Sequence, residues 1–414
     1  MMTLERPVNP AWWEHDQHLL HFVCDLIDGE LSMMRRSRID TPLPWAESLH
    51  IGRDLAVDSL ELLALATAFS ESLHLHRSGI DDYLLGRLEI QDWVAIARQS
   101  LRQFSCELTF RTSGSAGVPK ACTHPTSTLW QEVAELVPLL PGRRRILSAV
   151  PRHHIYGFLF TVLLPQAPGV GDLEVIDLRG SSPARLAREL RDGDLVVGHP
   201  EFWRAFLRLQ PTIAGGVIGV TSSAACPDEL ARALEVAGLD KLVQVYGSSE
   251  TGGVGWRASA TSPYLRFPYW RRVDGNAGML ERTLPDGACA RYAMQDELEW
   301  VDEHSFRPAG RIDQAVQVGG INVFPARVAA VLRENPAVLD VSVRLMRADE
   351  GSRLKAFIVP LDPQHHREQL EAQLVAWGRA HLDSASRPMA FSFGRQLPRQ
   401  ANGKLADWII EAAT

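Results

Sequence analysis

The amino-acid sequence predicts an α/β protein with a mainly helical N-terminal region and a small α+β domain at its C-terminal end. Three observations support this prediction. Residues 14–104 show apolar positions at helical spacing, such as Leu19, Phe22 and Val23, and no strand signal. Residues 107–311 alternate short apolar runs with amphipathic segments, which is typical of a largely parallel sheet covered by helices. The rest of the chain repeats this alternation within about 100 residues, a common size for one domain.

These changes of pattern divide the 414-residue chain into three parts. Residues 1–105 form the helical region, residues 106–311 the α/β core, and residues 312–414 the C-terminal domain. The predicted strands of the core are "ELTFR", "RILSAV", "DLVVGHP", "GGVIGV" and "KLVQVYG", and its predicted helices are "TLWQEVAELVPLL" and "PDELARALEVAGL". The C-terminal domain has predicted helices "PARVAAVLREN" and "REQLEAQLVAWGRAHL" and predicted strands "VLDVSVRLM", "LKAFIVP" and "AFSFG".

Composition and charge exclude several classes of protein. A net charge of −7 offers no basic surface for nucleic acid. The longest apolar run, "GFLFTVLL", is far shorter than the roughly 20 residues needed to span a bilayer. The five cysteines have neither zinc-site nor disulfide-framework spacing. We therefore expect a cytoplasmic protein with reduced thiols, no nucleic-acid partner and no membrane span.

A loop rich in glycine and hydroxyl groups follows the first predicted strand of the core. Its glycines let the backbone turn amide groups toward an anion, and its hydroxyls and lysine add further donors. These residues are Thr112, Ser113, Gly114, Ser115, Gly117 and Lys120. The spacing is not that of a GxxxxGK[ST] loop, and Pro119 before the lysine argues against helix continuation. Taken alone, this stretch is equally compatible with a flexible surface loop.

Six motifs in order resemble those of the adenylate-forming superfamily, which includes acyl-CoA synthetases, peptide-synthetase adenylation domains and luciferases. They are "TSGSAGVPK", "HHIYG", "TSSAACPDEL", "VYGSSE", "GRIDQAVQVGGINVFP" and "LPRQANGKL". The resemblance implies an AMP-forming acid–thiol ligase that uses ATP and Mg²⁺. Such an enzyme converts a carboxylic acid to an acyl-adenylate with release of pyrophosphate. It then transfers the acyl group to the phosphopantetheine thiol of an acyl carrier protein or CoA.

The resemblance also implies roles for the residues of the ATP site. The loop would hold the leaving pyrophosphate, Glu250 would ligate Mg²⁺, and Tyr246 would stack on adenine. Arg311 and Asp296 would bind the ribose, although "MQD" replaces the usual Thr-Gly-Asp before Asp296. The implied ATP-binding residues are Thr112, Ser113, Gly114, Ser115, Gly117, Ser223, Ala224, Tyr246, Gly247, Ser248, Ser249, Asp296 and Arg311. The implied catalytic residues are Lys120, Glu250 and Lys404. A surface charge at Glu250 is the alternative.

The acid pocket is assigned by the same resemblance. In "HHIYG", His154, Tyr156 and Gly157 would form the wall of the pocket. These residue types are compatible with a flat aromatic acid. Compact members of the superfamily that this chain resembles act on hydroxybenzoates for aryl-polyene or xanthomonadin-type pigments and deliver them to a carrier protein. A hydroxybenzoate is therefore the implied substrate.

The C-terminal motifs would act through domain rotation. Asp313 falls at the position of the interdomain hinge. Lys404 would reach the substrate carboxylate and the α-phosphate in the first half-reaction. Gly319 and Gly320 would let a pantetheine arm pass in the second. The alternatives are that Lys404 is a solvated surface lysine and that Gly319 and Gly320 only shape a turn.

The N-terminal stretch "LHIGRDLAVDSLELLALATAF" resembles the phosphopantetheine site of a carrier protein, with Ser59 as the attachment residue. Ala56 stands where carriers usually have glycine. Alternatively, Asp58 and Glu61 form a capping box that needs no prosthetic group. Three hypotheses follow: a ligase that serves a separate acceptor, a self-loading fusion of ligase and carrier, and a non-catalytic adenylate-binding scaffold. The presence of both Lys120 and Lys404 argues against the scaffold.

Overall fold

The structure is a computed structural model that describes residues 10–35, 37, 39–41, 43–112, 120–171, 173–312, 315–347, 349–362, 364, 366–399 and 405–410. Several predicted site residues lie outside the described residues: Ser113, Gly114, Ser115, Gly117, Asp313, Lys404 and the side chain of Thr112. The described residues divide into two compact units. The larger unit extends to Gly310, and the smaller unit begins at Arg311.

The N-terminal part of the larger unit is helical, as the apolar spacing predicts. Its helices are α1 (Asp16–Arg35), α2 (Ile51–Asp54), α3 (Ser59–Leu73) and α4 (Ile90–Gln103). Helix α3 begins with a capping box, because the Asp58 carboxylate accepts from the backbone N–H groups of Leu60 and Glu61 at 2.8 Å. It ends at His74, whose φ of 53° closes the last turn in the left-handed conformation.

The remainder of the larger unit alternates strands and helices. Its strands are β1 (Glu107–Thr112), β2 (Lys120–Pro125), β3 (Arg145–Ser148), β4 (Glu174–Asp177), β5 (Asp194–Gly198), β6 (Ile218–Thr221), β7 (Lys241–Ser248), β8 (Gly252–Arg257), β9 (Tyr264–Arg266), β10 (Trp270–Val273), β11 (Asn276–Thr283), β12 (Cys289–Ala293), β13 (Asp296–Trp300) and β14 (Ser305–Arg311). Its further helices are α5 (Thr126–Leu136), α6 (Ile155–Phe158), α7 (Pro183–Glu189), α8 (Pro200–Leu207) and α9 (Asp228–Val236).

In the described part of this unit, nine strands form one sheet in the order β13-β14-β9-β8-β7-β6-β5-β3-β4. The strands from β4 to β7 are parallel, as predicted, and their carboxyl ends meet at one edge. The pairs β7/β8, β8/β9 and β9/β14 are antiparallel. Only three residues connect β7 to β8, too few for the crossover that a parallel pair needs. The prediction of a largely parallel sheet therefore holds for one half of it.

The N-terminal helices share their hydrophobic core with this sheet. Phe22 of α1 and Trp93 of α4 belong to the same buried cluster as Phe158, Val197 and Val243. The described residues of the predicted region 1–105 thus pack as part of the larger unit. Within the described ranges, no helix combines the length and the apolar character needed to cross a bilayer.

The smaller unit has its own core. It contains β15 (Val316–Val318), β16 (Ile321–Val323), α10 (Pro325–Arg333), β17 (Val338–Leu345), β18 (Leu354–Pro360), α11 (Arg367–His381) and β19 (Pro388–Phe393). Strand β18 pairs antiparallel with β17 and parallel with β19. Leu332 of α10, Ile358 of β18 and Leu370 of α11 are fully buried in this core.

Candidate active site

The predicted cation and the predicted magnesium ligand are in direct contact. Lys120 begins β2, immediately after the glycine-rich loop, and Glu250 lies in the turn between β7 and β8. The Lys120 Nζ is 2.8 Å from the Glu250 Oε1. Partial burial raises the pKa of Glu250, but its hydrogen bonds and the charge of Lys120 outweigh this and lower it. Glu250 is therefore a charged carboxylate at neutral pH.

The turn that carries Glu250 is tightly held. A side chain at Gly247 would place a Cβ only 2.1 Å from the Gly252 carbonyl oxygen, so glycine is required there. The Ser248 backbone N–H donates to the Thr251 Oγ1 at 3.1 Å. The buried His124 ring places its Nε2 2.6 Å from the Ser249 carbonyl oxygen. Burial lowers the pKa of His124, so the neutral ring donates this bond.

Two further buried residues support this turn and were not predicted. The Glu132 Oε2 accepts from the Gly253 backbone N–H at 2.8 Å. Arg282 donates to the carbonyl oxygens of Thr251 at 3.2 Å and Thr128 at 2.6 Å. Glu132 lies on the apolar face of α5, which was an available sequence signal. Arg282 has no comparable signal, because its partners are distant in sequence.

Two of the predicted nucleoside-binding residues, Tyr246 and Asp296, are in direct contact in the larger unit. The Tyr246 hydroxyl donates to the Asp296 Oδ2 at 2.6 Å. Ser223 is exposed and has a φ of 71°, a left-handed conformation that is uncommon outside glycine. Ala224 follows it and is half-buried. Arg311 is the last residue of β14. The structure thus brings Asp296 to the motif that contains Tyr246.

The predicted acid-pocket segment follows β3 at the carboxyl edge of the parallel strands, where α/β sheets commonly bind ligands. Gly157 is required, since a Cβ there would be 1.9 Å from the Pro151 carbonyl oxygen. The buried Tyr156 hydroxyl donates to the Gly198 carbonyl oxygen at 2.9 Å. His154 is accessible to solvent, yet crowding by protein atoms and the charge of Arg179 lower its pKa. It therefore presents a neutral imidazole.

The glycine pair of the smaller unit forms a turn. Gly319 and Gly320 connect β15 to β16 with φ values of 59° and 82°. Two consecutive positive φ values are typical of a two-residue hairpin turn. The turn-forming alternative is therefore present, and passage of a pantetheine arm stays a prediction.

Ser59 is the exposed first residue of α3. The capping box predicted as its alternative role is present: the Glu61 Oε2 accepts from the Asp58 backbone N–H at 3.3 Å. Glu61 also forms an ion pair of 2.6 Å with Arg35 of α1. Arg35 further donates to the Leu55 carbonyl oxygen at 3.0 Å. These contacts attach the beginning of α3 to α1.

The chain matches two family models over parts of its length and curated relatives over nearly its whole length. It matches the family model "AMP-binding enzyme" over residues 106–281 and "AMP-binding enzyme C-terminal domain" over residues 327–404. It is 37% identical to a 4-coumarate–CoA ligase of Halorhodospira halophila, covering 94% of this chain and 98% of the relative. A 4-coumarate–CoA ligase of Cereibacter sphaeroides is 38% identical, covering 98% of this chain and 100% of the relative.

Solved structures share the fold. An o-succinylbenzoate CoA synthetase from Bacillus subtilis aligns with a TM-score of 0.63 at 14% identity, covering 96% of this chain and 97% of that chain. An amide bond synthetase from Marinactinospora thermotolerans aligns with a TM-score of 0.61 at 15% identity, covering 95% and 93% of the two chains. The predicted α/β fold with a large domain and a small C-terminal domain is thereby confirmed.

The phosphate-binding motif order, the α/β sheet and the separate C-terminal unit define an AMP-forming acid ligase. The chain belongs to the AMP-binding enzyme family. It activates a carboxylic acid with ATP as an acyl-adenylate and then forms a thioester, as acyl-CoA ligases do. The hypothesis of a non-catalytic scaffold is therefore wrong. Because the alignments cover 94% and 98% of this chain, they extend into residues 1–105.

Proposed function

We propose that this ligase activates a phenolic aromatic acid, with 4-coumarate as the first choice, and that CoA accepts the acyl group. This proposal rests on the similarity of the chain, over nearly its full length, to ligases named for 4-coumarate and CoA. The neutral imidazole of His154, two residues before the buried Tyr156, supports it. A mostly apolar pocket with a few hydrogen-bonding groups suits a flat acid with a phenolic hydroxyl. A hydroxybenzoate delivered to an acyl carrier protein stays a prediction.

The site residues fit the proposed chemistry. Mg²⁺ prefers a carboxylate together with phosphate oxygens, which Glu250 and ATP would supply, and it neutralises phosphate charge when bound. Lys120 would donate to the phosphates, and Tyr246 with Asp296 would hold the nucleoside. Lys404 would place a cation between the acid carboxylate and the α-phosphate. The carboxylate oxygen then attacks the α-phosphorus and pyrophosphate leaves, after which the CoA thiolate attacks the acyl carbon and AMP leaves.

A panel of acids tests the proposal. Acyl-adenylate is trapped with hydroxylamine in the presence of ATP and Mg²⁺, using 4-coumarate, cinnamate, 4-hydroxybenzoate, 3-hydroxybenzoate and hexanoate. We expect the highest kcat/KM with 4-coumarate and a lower value with cinnamate, which lacks the hydroxyl. A higher value with hexanoate than with every aromatic acid would contradict the proposal. CoA and a phosphopantetheinylated carrier protein are then compared as acceptors of the preferred acid.

The self-loading hypothesis has its own test. Ser59 is followed by Leu60, whose side chain is 77% exposed, so the surface there is accessible. The protein is incubated with CoA and a broad-specificity phosphopantetheinyl transferase, and the peptide containing Ser59 is measured by mass spectrometry. We expect no modification, because the capping box accounts for the sequence at this helix start. We also expect unchanged CoA-ligase activity in Ser59→Ala. A phosphopantetheine mass on this peptide would instead support the fusion.

A further inference from the structure

Helix α1 carries a buried charge on its apolar face. Phe22, Asp25, Leu26 and Gly29 follow one another at helical spacing on this face, and Asp25 is only 1% exposed. A buried carboxylate is costly unless charged or hydrogen-bonding partners surround it. The partners of Asp25 therefore identify what this face of α1 holds in place.

Asp25 binds directly to the beginning of the acid-pocket segment. Its Oδ2 accepts from the Arg152 backbone N–H at 2.8 Å. Its Oδ1 accepts from the Arg179 Nη2 at 2.5 Å. Arg179 also donates from Nε to the Asp177 Oδ1 at 3.0 Å, and the Arg152 Nη1 lies 3.6 Å from the Asp177 Oδ2. The negative charges of two carboxylates and the positive charges of two guanidinium groups thus balance at the carboxyl ends of β3 and β4.

Two neighbours of Asp25 on the same face of α1 contact the same segment. Gly29 lies so close to His153 that a Cβ would be 2.4 Å from the His153 Nε2. The His153 ring in turn lies 4.4 Å from the His154 ring, edge to face. The Phe22 ring lies 5.5 Å from the Phe158 ring. Three successive turns of α1 therefore contact residues 152–158 from the beginning of the segment to its end.

The middle of the segment has a separate anchor. The hydrogen bond from the Tyr156 hydroxyl to the Gly198 carbonyl oxygen attaches it to the end of β5. The segment is thus fixed between a helix of the N-terminal region and a strand of the sheet. A shift of about 1 Å in either support would change the position of His154, and displacements of this size matter in substrate binding.

We infer that helix α1 sets the position of the acid-binding segment 152–158 through Asp25 and Gly29 and thereby takes part in selecting the acid. Asp25 acts as a positioning residue, since it contacts the segment and not the reacting atoms. The inference rests on the proposed function in one respect, the assignment of this segment to the acid pocket. It gives the N-terminal helices a role within the ligase itself.

The variant Asp25→Asn tests the inference, because it keeps the side-chain size and removes the charge that holds Arg179. We expect the KM for the acid to rise about tenfold, while the KM for ATP changes less than about twofold. We also expect faster backbone hydrogen exchange in the peptide covering residues 152–158. Gly29→Ala should displace His153 and change the ratio of kcat/KM between 4-coumarate and 4-hydroxybenzoate.

Leu31→Ala is the matched control on the same helix. Leu31 is fully buried and makes none of the contacts described above. The Leu31→Ala variant should therefore lower Tm without a specific change in the KM for the acid. Unchanged hydrogen exchange at residues 152–158 in Asp25→Asn would overturn the inference, as would equal increases in both KM values. The exchange measurement needs no substrate, so it decides the positioning role even if the wild-type protein accepts none of the aromatic acids. If the wild-type protein accepts none of the aromatic acids, the proposed function is wrong.

Discussion

Glu250→Gln is expected to lower the rate of acyl-adenylate formation by about 100- to 1,000-fold, the size of effect typical for loss of one transition-state electrostatic contact. The glutamine keeps the shape of the side chain but removes the negative charge that Glu250 is proposed to offer to Mg²⁺. The rate is measured by hydroxamate trapping at saturating acid and ATP. A Mg²⁺ titration should show a higher metal requirement in the variant.

The stability of the Glu250→Gln variant should change little. The partner of Glu250, Lys120, has a side chain that is 52% exposed, and ion pairs at that exposure contribute about 1 kcal/mol or less. Glu189→Gln is the matched control: it removes one carboxylate from another partly exposed ion pair, that with Arg185, and should leave the rate unchanged. A wild-type rate in Glu250→Gln would show that Glu250 is not the metal ligand.

Local sequence patterns predicted the parts of the fold that depend on near neighbours. The helical faces of α1 and α3 and the strands β3, β5, β6 and β7 follow from periodicities of 3.6 and 2 residues. The patterns predicted no element between residues 250 and 310, where the structure has strands β8–β14. Several of these strands are short and partly exposed, so they lack a continuous apolar run.

The same limit applies to the candidate site. The motif residues Lys120, Glu250, Tyr246 and Asp296 could be assigned because a resemblance supplies their order. His124 and Arg282 could not, since their partners lie between 31 and 154 positions away. No local sequence pattern predicts such contacts, because they form only when the sheet is assembled.

Helix α3 illustrates why one local pattern allowed two interpretations. The residues around Ser59 match both a carrier site, through Asp58, Ser59 and Leu60, and a helix-capping box, through Asp58 and Glu61, because both patterns have Asp58 where the helix begins. The two interpretations differ in what the buried face of the helix packs against. Phe69 on this face belongs to the core shared with the sheet. That contact joins residues that are distant in sequence, so the spacing of residues around Ser59 cannot predict it.

The second large effect is expected from Lys355→Met in the smaller unit. Lys355 lies on β18 and is fully buried. Its Nζ lies 2.7 Å from the Glu350 Oε2, 3.0 Å from the Asp407 Oδ1 and 2.5 Å from the Trp408 carbonyl oxygen. It also lies 5.1 Å from the centre of the Trp408 ring. One buried cation thus attaches residues 407–408 to the central strand.

Removing this cation should lower the free energy of unfolding of the smaller unit by about 3 kcal/mol, since it leaves Glu350 without its buried partner. Burial raises the pKa of Glu350, but Lys355 and backbone N–H donors outweigh this and lower the pKa to about 2 from its ordinary 4.5. The resulting stabilisation is present above pH 4.5 and is lost as pH falls toward 2. Denaturant unfolding across this range should show a smaller loss with acid in Lys355→Met.

The effect of Lys355→Met on activity should separate the two half-reactions. Residues 405–408 follow Lys404 directly, and they are held by Lys355 and by the bond from the Arg344 Nη2 to the Leu405 carbonyl oxygen at 2.8 Å. Because Lys404 is proposed to act only in adenylation, we expect both Lys355→Met and Lys404→Ala to slow adenylate formation. Thioester formation from supplied acyl-adenylate should be retained. Arg333→Ala, which removes an exposed ion pair with Asp340 in the same unit, should leave both rates unchanged. Equal losses in both half-reactions, measured below the Tm of each variant, would contradict a role in positioning Lys404 and indicate general destabilisation.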